Sequence, residues 1–246
     1  MSKVYLGIGH GGADSGAVGN DFEEKDLALA IGLACRDELQ RHGITVMTSR
    51  TGGTDKTVAA KVKECNTFAP ALAADIHINA GGGDGAEVYH TKNGGKGETL
   101  AANILDAIKE IGQNSRGLKT KINSSGKDYF AFIRDTAAPA VIVECAFIDN
   151  KSDLAIIDTA AEQKAFGKAI AKGFLRTLGI AYKEEETEVA KTKFKDESEI
   201  PSWALDSVKK VFDEGIMIGD DKGYFNPNEN VTRAELAVAL AKIAKL

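Results

Sequence analysis

The 246-residue chain has little cysteine, no surplus of basic residues and no long apolar run. Its three cysteines, Cys35, Cys65 and Cys145, lie far apart with no CxxC spacing. That excludes a disulfide framework and a cysteine-rich zinc site, and it leaves them as buried small apolar side chains. A formal net charge of −5 and a pI near 5.5 provide no footprint for nucleic acid or an anionic membrane surface. No stretch approaches the ~18 apolar residues of a membrane span, and the opening "MSKVYLGIGH" has no cationic region followed by an apolar one. The expectation is therefore a chain made in the cytoplasm, with no nucleic-acid partner and no membrane insertion. What is present is ordinary globular composition, 43% hydrophobic and 27% charged, over a length suited to one full-sized domain plus a small one.

Residues 1–180 alternate strand-length apolar runs with helical patterns: "VYLGI", "EKDLALAIGLACRDELQRHG", "ITVMTSR", "KTVAAKVKECNTFA", "ADIHINA", "AEVYH", "GETLAANILDAIKEIG", "YFAFIR", "AVIVECAF" and "AAEQKAFGKAIAKGFLRTLG". This order predicts an α/β domain with a largely parallel sheet covered by helices on both faces, in which "YFAFIR" is read as a strand and "AVIVECAF" as a central one. Residues 181–193 are nearly all charged or small and are read as a linker. Residues 194–246 form a small all-α module. Pro201 lies near the start of a helix whose Trp203, Val208, Val211 and Phe212 recur at helical spacing, which places Trp203 in the module's core. Thr232 is expected to cap a second helix starting at Arg233, with Glu235 completing a capping box. So small a unit buries little alone, which favours packing against copies of itself or a partner.

The stretch "YLGIGHGGADSGA" ends the first strand with one histidine among glycines. Gly9, Gly11 and Gly12 supply positive-φ conformations and let the backbone come close to something. His10 follows the strand at the sheet edge where open α/β folds bind ligands. By itself it can be a metal ligand, a phosphate contact or a polar loop residue. Its companions narrow the choice. Glu24 opens the next helix, where the macrodipole favours the ionised carboxylate that a metal requires; helix register alone does not decide between Glu24 and Glu23. His77 ends another strand. Two histidines and a carboxylate, with a fourth position for water, form the ligand set of catalytic zinc. Glu144, read as the end of "AVIVE", is the candidate general base, its bland alternative being a strand end emerging into solvent.

Taken in order, "GHGGADSGAVGNDFEEKDLALAI", "DIHINA", "AEVYH", "YFAFIR" and "AVIVECAFIDN" resemble the zinc-dependent N-acetylmuramoyl-L-alanine amidases of the amidase-3 class, which cleave bacterial peptidoglycan, over about residues 3–180. The resemblance implies one Zn2+ held by His10, Glu24 and His77, with Glu144 as catalytic glutamate taking a proton from water and passing one to the departing L-alanine amine. It also implies a mixed sheet of about six strands. Arg134 is a weak candidate for substrate or oxyanion contact, and His90, ending a strand beside the cleft, for substrate contact. The chain departs from the family pattern at two places. An Asp-Pro pair is usual where Gly7 and Ile8 stand, and a serine where Asp75 stands.

The C-terminal "FKD", "WALDSVKKVFDEGIMIG", "GYFNPN" and "VTRAELA" are similar to a single S-layer homology repeat, a module that binds secondary polysaccharides of Gram-positive walls. Arg233 suits an anionic sugar by charge and forked geometry. These modules commonly occur as three tandem copies, so a single copy suggests assembly between chains or weak binding through two attachment points. Together the halves read as a wall hydrolase with a wall-targeting module. The N-terminus favours a phage or prophage endolysin, released by a holin-type device, over a processed host autolysin. Two rivals remain: a zinc peptidase of the stem peptide, and a non-catalytic wall-binding or S-layer-associated protein.

Overall fold

The computed structural model describes residues 2–184 and 194–244. The chain divides into two units, Met1–Lys183 and Glu184–Leu246. From residue 185 onward, the stretch read as a linker at 181–193 lies outside the described residues.

The first unit contains β1 (Lys3–Ile8), β2 (Val18–Gly19), β3 (Phe22–Glu23), α1 (Glu24–Arg41), β4 (Thr45–Thr48), α2 (Val58–Phe68), β5 (Leu72–Asn79), β6 (Ala86–Tyr89), α3 (Lys96–Glu110), β7 (Ser115–Lys119), α4 (Ala131–Asp135), β8 (Ala140–Phe147), α5 (Lys151–Leu154) and α6 (Ala160–Leu178). Six of the strands form one sheet in the order β4-β1-β5-β8-β6-β7. β4, β1, β5 and β8 run parallel; β6 runs antiparallel to β8, and β7 parallel to β6. The sheet is largely parallel, as the alternation predicts, and mixed with six strands, as the resemblance implies.

Period-two alternation sends the side chains to two unequal faces. On one face Val4, Leu6, Ala74, Ile76, Val88, Val141 and Val143 join the long helices in the main core, meeting Leu27 and Ile31 of α1, Ile104 of α3, and Phe166, Ile170 and Phe174 of α6. The opposite face has a smaller cluster, Tyr5, Ala73 and Ala140 with Cys65 of α2 and Phe132 of α4. Helices α1, α3 and α6 thus cover one face, while α2 and α4 cover the other only beside the beginnings of β5 and β8. All three cysteines are free and buried, as their spacing implies.

Three local readings change. "YFAFIR" is not a strand: Ala131–Asp135 is a short helix that buries Phe132 and Ile133, because a short apolar run fits a buried helix turn as well as a strand. Glu144 does not end its strand, since β8 continues to Phe147. An unforeseen hairpin, β2 with β3, turns through Asn20 and Asp21, both at positive φ, and delivers the chain to the start of α1.

The second unit contains α7 (Leu205–Asp213) and α8 (Arg233–Ala244). Its core is Phe194, Ile200, Leu205 and Val208, with Phe212 and Phe225 packed against it. The buried Asp196 carboxylate accepts the backbone N–H groups of Phe225 and Asn226, tying "FKD" to "YFNP". The capping box on α8 forms: Thr232 Oγ1 accepts from Glu235 N–H and Glu235 Oε2 from Thr232 N–H. Trp203 is 85% exposed rather than in the core, because it lies in the turn before α7 instead of on the helix's buried face. No residue of α8 is buried, and Leu236, Leu240 and Ile243 face outward. Among the described residues, no helix is long and apolar enough to cross a membrane.

Candidate metal centre

His10, Glu24 and His77 offer donor atoms that all lie within 4.8 Å of one another. Each comes from a different part of the fold: the loop after β1, the first residue of α1 and the sixth residue of β5. Glu24 is 4% exposed and sits between the two rings. His10 Nε2 is 3.1 Å from its Oε2, and His77 Nδ1 is 2.9 Å from its Oε1. Each carboxylate oxygen also accepts one backbone N–H, Oε2 from Ala17 and Oε1 from Ile78. Glu23, the alternative, instead pairs with Lys25 at 2.6 Å.

The ring nitrogens turned away from Glu24 also meet carboxylates. His10 Nδ1 lies 2.8 Å from Asp14 Oδ2, and His77 Nε2 lies 3.4 Å from Asp75 Oδ2. A carboxylate behind each imidazole fixes the tautomer and leaves the inward nitrogen as a donor to a cation, so the set fits a divalent metal. The glycines around His10 have distinct tasks. A Cβ on Gly9 would lie 2.7 Å from the His77 ring, and one on Gly16 would lie 2.6 Å from both Glu24 Oε2 and the His10 ring. Gly9 therefore serves close approach rather than positive φ, and His10 itself adopts φ 54°.

Electrostatics separates the carboxyl groups. Burial works against ionised Glu24, yet hydrogen bonds from both histidines hold its pKa far below the ordinary range. Glu144 behaves oppositely: burial pushes it up to about 7, with Glu24, Glu87 and Asp75 reinforcing and His77 opposing. Burial disfavours the charged ring of His77, but Asp75 and Glu24 outweigh it and push the pKa up to about 10. His10 is raised by its contact with Glu24, against burial, with help from Asp14.

His77 and Glu144 are register partners on β5 and β8, which places both side chains on the partly covered face. The Glu144 carboxylate has no hydrogen-bond partner among the described residues. Its other register partner, Glu87 on β6, is fully engaged: it accepts from Asn79, Tyr89 and Arg116. The sequence pattern does not single out Glu87 or Arg116, although the alternation in "AEVYH" puts Glu87 on the face opposite Ala86 and Val88.

Two weaker candidates are placed elsewhere. Because β6 is antiparallel to β8, with Tyr89 opposite Ile142, His90 leaves the sheet at the end where β8 enters, away from the cluster; it is buried and its Nδ1 meets the Thr91 carbonyl. Arg134, on α4 before β8, bonds the carboxylate of Asp135 and the carbonyls of Asp128 and Tyr129. Arg233 is exposed at the first position of α8, in the second unit.

Behind His77, Lys61 of α2 and Asp75 form an ion pair at 2.9 Å in which both residues are 2% exposed. Burial raises the Asp75 carboxyl, but Lys61 and His77 bring it down to about 2. Lys61→Met leaves that carboxylate short of a cation in a dry site and is expected to destabilise the first unit by about 3 kcal/mol. Urea unfolding checks this through a lower midpoint at unchanged slope; a midpoint unmoved from wild type refutes it.

The family model described as N-acetylmuramoyl-L-alanine amidase matches residues 4–176, and that of the S-layer homology domain matches residues 193–237. The N-acetylmuramoyl-L-alanine amidase CwlM of Bacillus licheniformis is 30% identical over 229 residues, covering 89% of this chain and 86% of that protein. The endolysin of Bacillus phage SPP1 is 31% identical over 193 residues, covering 74% of this chain and 69% of the endolysin. Among solved structures, Cwp6 from Clostridium difficile aligns with a TM-score of 0.70 and 38% identity, covering 72% of this chain but only 29% of its own longer chain.

Proposed function

Because the chain belongs to the N-acetylmuramoyl-L-alanine amidase family, we propose that His10, Glu24 and His77 hold a zinc ion and that Glu144 is the base of the hydrolysis. The chain is a peptidoglycan amidase with a wall-targeting S-layer homology domain, and the bond cleaved joins N-acetylmuramic acid to L-alanine. The observation that carries the site assignment is the contrast among carboxylates. Asp14, Glu24, Asp75 and Glu87 are all engaged by hydrogen bonds, whereas Glu144, beside His77, is left with none among the described residues.

A bound Zn2+ supplies Lewis-acid chemistry that polarises the amide carbonyl and acidifies water. Asp14 and Asp75 orient the two imidazoles. Glu144, half-buried with a pKa near neutrality, accepts a proton from the attacking water and returns one to the departing amine of L-alanine.

In the second unit, Arg233 would contact an anionic secondary wall polysaccharide. The outward apolar residues of α8, together with Trp203, favour assembly with the same unit of other chains. The similarity to a phage endolysin supports a lytic role at the cell wall.

Mass spectrometry of the soluble products of zinc-loaded protein on purified Gram-positive peptidoglycan tests this reading, with Glu144→Ala as control. The expected products are intact stem peptides with free L-alanine N-termini, absent from the control. New amino groups elsewhere in the stem would make the enzyme a peptidase, and no release despite bound zinc would leave a binding protein.

A further inference from the structure

On the partly covered face of the sheet, Glu87 stands opposite Glu144 in the pairing of β6 with β8, and a cation beside Glu87 is therefore within reach of a substrate held at Glu144. Arg116, on the edge strand β7, is such a cation. Its Nε donates to Glu87 Oε2 at 3.0 Å, and its guanidinium carbon lies 5.0 Å from the centre of the Phe147 ring. Glu87 is itself fixed by Asn79 and Tyr89, so the base of the fork is anchored on three sides. Both Nη groups have no hydrogen-bond partner among the described residues, and the side chain is 39% exposed.

We propose that Arg116 determines specificity by binding a carboxylate of the stem peptide, with Glu87 and Phe147 holding its fork in place. This rests on the amidase reading given above. Strand spacing gives the reach involved. β7 lies two strands from β8, or about 10 Å at the usual spacing. An extended peptide advances roughly 3.5 Å per residue. A stem that runs from Glu144 across β6 would therefore bring its second or third residue to Arg116. Two parallel Nη–H groups suit a carboxylate and have no equivalent pairing with a primary amide.

The test uses the full zinc-loaded chain and a soluble muramyl tripeptide, supplied with its peptide carboxylates free and again with them converted to primary amides. Release of L-alanine N-termini gives kcat and KM for each. The wild type is expected to prefer the free acid by about 10- to 100-fold in kcat/KM, mainly through KM, as suits a hydrogen-bonded charge pair. In Arg116→Gln the preference shrinks to within about twofold, and Arg116→Lys, which keeps charge without the fork, falls between. A neutralising role toward Glu87 alone would slow both substrates equally and leave the ratio unchanged, which overturns the proposal. So does a wild type without preference, a result that needs no variant to fold. Failure of the wild type to release L-alanine termini from either peptide would instead bring down the amidase reading, and Arg116 with it.

Discussion

Glu144→Gln is expected to lower kcat about 1,000-fold while the protein binds zinc with wild-type stoichiometry. The magnitude is that of a positioned general acid–base group. Glutamine keeps the shape of the side chain but can neither accept the water's proton nor return one to the amine. Since Glu144 has no bond to the three ligands, its loss leaves the metal group intact. The pH dependence has a defined sign. Burial among carboxylates holds the metal-free carboxyl at about 7; a nearby dication favours ionisation and moves it lower. In wild type, kcat/KM therefore rises with pH along an acid limb centred below 7, and that limb is lost in the variant. Metal analysis with steady-state rates across pH decides the matter. A variant retaining a tenth of wild-type kcat, or losing zinc, contradicts the assignment.

His77→Ala is expected to abolish stoichiometric zinc and reduce turnover to background. Asp14→Asn, which keeps all three donors, weakens zinc only about 10- to 100-fold, the usual effect of altering the partner behind a ligand. Proton competition sets the pH trend. His77 titrates at about 10 without metal, and His10 is also raised, so protons must leave before zinc binds. Affinity falls about tenfold for each proton displaced with every unit of pH lowered. Competition with a chromophoric chelator at several pH values measures the slope; a flat profile excludes the set of ligands.

Much of the centre is legible in the chain because its residues sit in local patterns: a histidine in a glycine loop, an acid at a helix start, a histidine and a glutamate in apolar strands. The strand-borne part of their convergence follows once β1, β5 and β8 are placed side by side. What periodicity does not carry is strand direction. "AEVYH" reads the same whichever way it runs, and only the pairing of Tyr89 with Ile142 sends His90 away from the cluster. Arg116 was equally hidden, since "SRGLK" is a polar edge segment whose role depends on Glu87 two strands from β5. "YFAFIR" misled because its buried pair, Phe132 and Ile133, satisfies a helix turn. Trp203 misled because an aromatic in so small a unit is read as core, although the helix begins after it.

Gly7 and Asp75 are 68 positions apart in the chain yet directly opposite in the pairing of β1 with β5. A Cβ on Gly7 would strike the Asp75 carboxylate. Two positions at which the chain departs from the pattern its resemblance implies are thus coupled by contact: an acidic side chain stands at position 75 and leaves no room for a side chain at position 7. Neither position reverts alone: an aspartate restored at position 7 collides with Asp75, and a serine restored at position 75 leaves Lys61 without its counter-ion. A chimera with a relative that carries a side chain at position 7 is therefore expected to need β1 and β5 from the same parent, because a crossover between them sets that side chain against Asp75.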